Sequence, residues 1–239
     1  MVSWTSELSI ETNNSAKYYE KGNELFKNSK FEESIKFFDK ALILNPENVE
    51  ALYKKGCCLG NLESYEEALD CLNSALIIRS NHLGALNYKG IYLGKLSLDD
   101  ESNECFEKAL SFNSDPKDAD SYSDKGLSLS CLGRDEEAII CYDKALEIEP
   151  NNYVVYFRKA YSLHDLGRIE ESVICNQKSV ELCPNFAMGY NNLGFDLFKL
   201  NKIKEAINSY EKAIELNSNI GYYHTNRQNA LEQLEADRL

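Results

Sequence analysis

Residues 119–152 read ADSYSDKGLSLSCLGRDEEAIICYDKALEIEPNN, and the fold follows from how this stretch is punctuated. Its first part places Tyr122, Lys125, Gly126 and Leu129 at i, i+3, i+4 and i+7, which is one face of a helix. Gly133-Arg134 interrupts that pattern as a turn. The second part places Ala138, Ile139, Tyr142, Ala145 and Leu146 at helical spacing again. Pro150-Asn151-Asn152 then ends it, because proline has no N–H to give and its ring clashes with the preceding turn. The stretch is a helical hairpin.

The hairpin recurs. Gly22, Gly56 and Gly90 are spaced by 34 residues, Gly126 follows after 36, and Gly194 comes 68 later. Ala41, Ala75, Ala109, Ala145 and Ala213 keep the same beat, with Ser179 filling the gap. Aligned on these, six repeats run 15–48, 49–82, 83–118, 119–152, 153–186 and 187–220. A fixed period of this length signals an array in which each repeat buries its core against its neighbours. Small residues at the eighth, twentieth and twenty-seventh positions let paired helices approach. Larger ones at the fourth, eleventh and twenty-fourth fill the space around them. Ser34, Ser102, Ser172 and Ala160 are small substitutes that fit the same logic. Repeat three departs from the pattern. It has Asp99 at an apolar position, with Leu98 as a stand-in, and gains two residues around 113–117, so its junction with repeat four is expected to be irregular.

The pattern resembles the tetratricopeptide repeat family over residues 15–220 and into the final helix. Tyr190-Asn-Asn-Leu-Gly194, continuing to Ala206, Tyr210 and Ala213, carries the resemblance best. It implies an all-α fold, a right-handed α-α superhelix of six antiparallel helix pairs. Residues 221–239 hold one more first-helix-like stretch, with Leu231 and Leu234 and no partner, and are expected to cap the last repeat. Residues 1–14 fit no repeat and are polar apart from Trp4, Leu8 and Ile10, so they are expected to form a flexible N-terminal arm.

Composition excludes several function classes. The net charge of −13 is the wrong sign for holding nucleic acid or an anionic membrane surface. No segment approaches the roughly 18 apolar residues that a spanning helix needs, and the N-terminus lacks the basic and apolar regions of a secretory signal. A cytoplasmic protein is expected. Acidic pairs such as Glu66-Glu67 and Glu136-Glu137 open the second helices and lysines such as Lys144 and Lys212 sit near their ends, which complements the helix dipole. Cys71, Cys105, Cys141 and Cys175 share the twenty-third position. Packed helices sit about 8–10 Å apart and a disulfide needs Cα atoms within about 7 Å, so these are read as small apolar residues. His82, His164 and His224 lie in different repeats, with no metal-binding or nucleophile motif around them. No catalysis, cofactor or metal is expected.

In the family, the first helix of each repeat lines a concave surface that holds peptides. The resemblance implies that the second, fifth, ninth, twelfth and thirteenth positions face that groove. In repeats two to four these are mostly small, including Gly60 and Gly94, where a glycine inside a helix gives up about 1 kcal/mol relative to alanine. Such positions serve either clearance for a bound chain or tight packing between neighbouring helices. Leu127 lies among them. Repeats five and six and the cap instead bring Phe157, Tyr161, His164, Asn191, Phe195, Phe198, Lys199 and Tyr222. Exposed contiguous aromatics mark interaction sites. The chaperone-carboxylate clamp of some family members is not matched, since Tyr19, Lys54, Gly84 and Tyr88 stand at its positions. The expected function is an adaptor or scaffold that binds a protein or peptide ligand in the groove. A self-associating structural module, or the targeting subunit of a larger complex, is the alternative.

Overall fold

The computed structural model describes residues 4–237, with side chains from residue 14 onward. Thirteen helices and no strand occur among the described residues. First helices are α1 (Trp4–Lys27), α3 (Val49–Asn61), α5 (Leu83–Lys95), α7 (Ala119–Cys131), α9 (Tyr153–Asp165) and α11 (Ala187–Lys199). Second helices are α2 (Phe31–Leu44), α4 (Tyr65–Ile78), α6 (Asp99–Phe112), α8 (Asp135–Ile148), α10 (Ile169–Leu182) and α12 (Ile203–Leu216). A last helix, α13 (Gly221–Ala236), packs on α12 and α11. The arm expected at 1–14 falls largely outside what is described: α1 begins at Trp4, and the side chains before Asn14 are not described.

Local chemistry sets the helix ends. Asn48, His82, Asp118 and Asn152 each turn a side-chain acceptor onto a backbone N–H of the first helix they precede, an N-cap that satisfies an otherwise orphaned donor. Each hairpin turn carries one residue in the left-handed region: Ser29, Glu63, Ser97, Gly133, Gly167 and Asn201. The next residue's N–H reaches back to close the helix, as Ser64 does to Leu59 at 3.0 Å and Arg134 to Leu129 at 2.9 Å.

Pairs lock by a ring or leucine over a small residue. A Cβ on Gly126 would come 2.5 Å from the fully buried Tyr142 ring, so only glycine lets α7 lie on that ring. Repeat five breaks the rule consistently: Ala160 replaces the glycine, and Asn176 replaces the ring. The serines at the twentieth position do more than fit. Ser34, Ser102 and Ser172 donate to the carbonyls of Gly22, Gly90 and Ala160 at 2.7–2.8 Å.

The chain divides into two compact units, one reaching to Asp115 and one beginning at Pro116, inside the insertion after repeat three. Helices α1–α6 lie in the N-terminal unit and α7–α13 in the C-terminal unit. Within each, the first helices of successive pairs come close to one another, α1 to α3 to α5 and α7 to α9.

Candidate functional site

The first-helix face differs between the units. In the N-terminal unit the small residues receive tyrosines. A side chain on Gly60 would overlap the Tyr92 ring, which is 5% exposed and whose hydroxyl lies 3.5 Å from the Cys57 carbonyl. A Cβ on Gly84 would come 2.9 Å from the Tyr53 ring. Tyr53, Tyr88, Tyr92 and Tyr65 then run ring to ring at 5.7–5.9 Å, with His82 4.8 Å from Tyr53. Space at Gly60 therefore belongs to the protein's own packing. Gly94 is different, because a Cβ there would meet only Ser102 Oγ, at 3.4 Å. Beside the row, Arg79 donates to Glu50 at 2.9 Å and the His82 imidazole faces the same carboxylate. The His82 hydrogen bond, ahead of the Arg79 charge, holds the Glu50 carboxyl below its usual range.

In the C-terminal unit the candidate residues separate into two groups. Phe157 is half-buried with its edge on Phe186, centroids 5.0 Å apart. Phe198 is half-buried against the cluster that includes Leu193, Leu197 and Ile203. Asn191 is buried and accepts from Asn226 across to α13 at 2.9 Å. Leu127 is half-buried on α7. Phe157, Phe198 and Asn191 serve packing between elements. Tyr161, Phe195 and Tyr222 instead stand out at 55%, 38% and 47% exposure. The exposed Lys199 holds its ammonium 5.3 Å from the Phe195 centroid, a cation–π distance. His164 lies 5.2 Å from the same ring.

A polar network that the sequence did not reveal lies beneath these rings. Asp196 is 2% exposed. Its Oδ1 accepts from His164 Nδ1 at 2.6 Å and its Oδ2 from Asn176 at 2.8 Å, while the Ser172 hydroxyl shares its one proton between Oδ2, at 2.5 Å, and the Ala160 carbonyl. One carboxylate so joins α9, α10 and α11, and it holds the His164 proton on Nδ1, leaving Nε2 for another partner. A second chain joins α7, α8 and α9: Ser162 donates to Ser130 at 2.9 Å, and Ser130 to the buried Asp135 at 2.9 Å. The missed signal was Asn176, a polar residue where other repeats place a ring or leucine.

Elsewhere the chemistry is quiet. All eight cysteines are free thiols, and burial pushes that of Cys58 up to about 11. Among the described residues no group of three or more His, Cys, Asp or Glu is placed to hold a metal ion, and no helix is long and apolar enough to cross a membrane. A cleft of about 460 Å³ lies between α4, α5 and α6, lined by Leu76, Ile77, Leu86 and Leu93 with Glu101 and Lys108 at its rim.

Family models for the tetratricopeptide repeat match residues 15–48, 119–152 and 187–220, and a second such model matches 37–70 and 141–173. Among solved structures, a tetratricopeptide repeat protein from Parabacteroides merdae superimposes with a TM-score of 0.63 at 18% identity, covering 91% of this chain and 84% of its own. A chain of the APC/C hetero-tetramer Cut9–Hcn1 also gives 0.63, at 12% identity over 95% of this chain, which spans 46% of that longer one. YrrB, described as having an unusual peptide-binding site, gives 0.46 at 22% identity over 82% of this chain and 97% of its own. At these identities the first two show a likeness of fold alone. No curated protein sequence matches the chain.

Proposed function

The chain belongs to the tetratricopeptide repeat family, and on that premise we propose that it is a non-catalytic adaptor of the cytoplasm. It holds an extended or helical segment of a protein partner along the first-helix face of its C-terminal unit. The observation that carries the reading is the set of rings Tyr161, Phe195 and Tyr222, exposed at 38–55% on first helices and the cap. Rings so exposed forgo burial that would stabilise the fold by about 1.5–3 kcal/mol for a large side chain, and aromatics of this kind dominate binding energy at interfaces. Beneath them, the Asp196 and Asp135 networks keep the helices in register without using the rings. Eight free thiols suit a reducing compartment.

The test is a paired substitution of exposed rings, Tyr161→Ala with Phe195→Ala. Capture of partners from lysate, followed by mass spectrometry, should lose its specific proteins, while helical content and melting stay as in the wild type. Phe157→Ala and Phe198→Ala make a poorer pair, because both rings pack between helices. An unaltered set of captured proteins with the exposed pair would remove the basis for this face.

Self-association is the second reading. Ile43 and Ile77, at equivalent positions of α2 and α4, are 77% and 84% exposed. Sedimentation across a range of concentrations separates the two readings: a concentration-independent monomer leaves the adaptor.

A further inference from the structure

We infer that the segment held on the C-terminal first-helix face is basic, and that one of its lysine or arginine side chains lies against the Tyr161 ring with Asp165 and Asp135 as counter-charges. This rests on the adaptor reading above and adds the partner's chemistry to it.

The geometry starts from Tyr161, whose ring is 55% exposed on α9. Asp165 follows one helical turn later and so shares that face. Asp135 comes against α9 from α8: it accepts from Ser130, which in turn accepts from Ser162. Asp135 is only 7% exposed, so it is not an ordinary solvated surface charge.

The carboxylates around this point are otherwise matched. Asp124 has Arg158 Nη1 at 3.3 Å and Asp143 has Lys159 at 2.5 Å. Neither Asp135 nor Asp165 forms an ion pair among the described residues. Burial, and next the charge of Asp135, hold the Asp165 carboxyl above its usual range. The Tyr161 hydroxyl is raised by burial and then by Asp165, with smaller effects from Cys131 and Asp135. An arriving cation relieves that like-charge repulsion and meets a ring face that attracts it.

The other end of the face is already supplied. Lys199 covers Phe195, so a second cation is disfavoured over α11 and favoured over α9. That asymmetry places the segment's cation over α9. The chain's net charge of −13 steers a basic segment toward it.

The probe is a random dodecapeptide library displayed on phage and selected on the full chain, with enriched peptides then synthesised and their affinities measured. Enriched peptides should carry lysine or arginine. Their affinity should fall about tenfold with Asp165→Asn and with Tyr161→Ala, and stay unchanged with Glu147→Gln, an exposed acid on α8. Replacing the peptide's cationic residue by alanine should abolish its sensitivity to Asp165→Asn. Neutral or acidic peptides that need Phe195 but ignore Asp165→Asn would overturn the basic-partner inference and leave the adaptor standing. Peptides indifferent to both Tyr161→Ala and Phe195→Ala, or a library that enriches nothing, would count against both.

Discussion

In the N-terminal unit the aromatic rings of the first helices turn into the array, over Gly60 and Gly84. In the C-terminal unit Tyr161 and Phe195 turn out of it, and the contacts beneath them are polar. Both units repeat one hairpin, so the difference comes from what fills the gap between neighbouring first helices. Where glycine leaves a hollow, a tyrosine from a neighbouring repeat closes it. Where serine, asparagine and aspartate form a hydrogen-bonded layer, the rings stay exposed. Small groove residues therefore do not by themselves mean room for a ligand.

The comparison breaks most readily at Asp196. Asp196→Ala leaves Ser172, Asn176 and His164 without their shared acceptor, and hydrogen bonds to a buried charge contribute about 1.5–3 kcal/mol. A loss of about 3 kcal/mol is expected, read as a lower urea midpoint with far-UV circular dichroism. A loss below about 1 kcal/mol would mean that the layer is incidental to the C-terminal unit.

The two first-helix glycines sharpen it next. Gly60→Ala drives a methyl into the buried Tyr92 ring and should destabilise by about 2 kcal/mol, overpacking outweighing the gain in helix propensity. Gly94→Ala meets nothing closer than 3.4 Å and should stabilise by up to about 1 kcal/mol. Thermal melts of the two variants should move in opposite directions. Equal shifts would erase the distinction between filled and open positions.

The turns differ between the units as well. Ser29, Glu63 and Ser97 hold the left-handed position in the N-terminal unit, whereas Gly133, Gly167 and Asn201, residue types that tolerate it, hold it in the C-terminal unit. Glu63→Gly should therefore stabilise by about 1 kcal/mol, and Gly133→Ala should destabilise by a similar amount. Both are readable from denaturant midpoints.

The smallest effect concerns Asp165. Its carboxyl is raised in the folded chain, first by burial and then by Asp135. An acid raised on folding binds its proton more tightly in the native state, so its ionised form opposes folding, and this penalty disappears as pH falls through the folded-state value. Asp165→Asn should raise the melting temperature slightly at pH 7, and the advantage should vanish in acid. The opposite trend would mean that Asp165 has a cationic partner within the chain.

Much of this was legible beforehand for physical reasons. Gly126 above Tyr142 and Gly194 above Tyr210 recur at one spacing, because two helices can lie that close only where one has no side chain. Proline and asparagine after the second helices stop them for local reasons that act within a few residues. At the candidate site the sequence could place Tyr161, Phe195, Phe157 and Phe198 on first helices, but it could not separate them. Alike in type and spacing, the first two face solvent and the last two pack between helices. Asp196 was hidden for the same reason, since its three partners lie 20 to 32 residues away.

What the 34-residue beat determined by itself was the kind of protein: an all-helical array of paired helices, because hairpin packing depends on side-chain sizes at fixed intervals. Only the tertiary structure decided which surfaces are spent on the fold and which are left over. Burial of a ring or a carboxylate depends on what the neighbouring repeat presents to it, and that neighbour is set by stacking, not by adjacency along the chain.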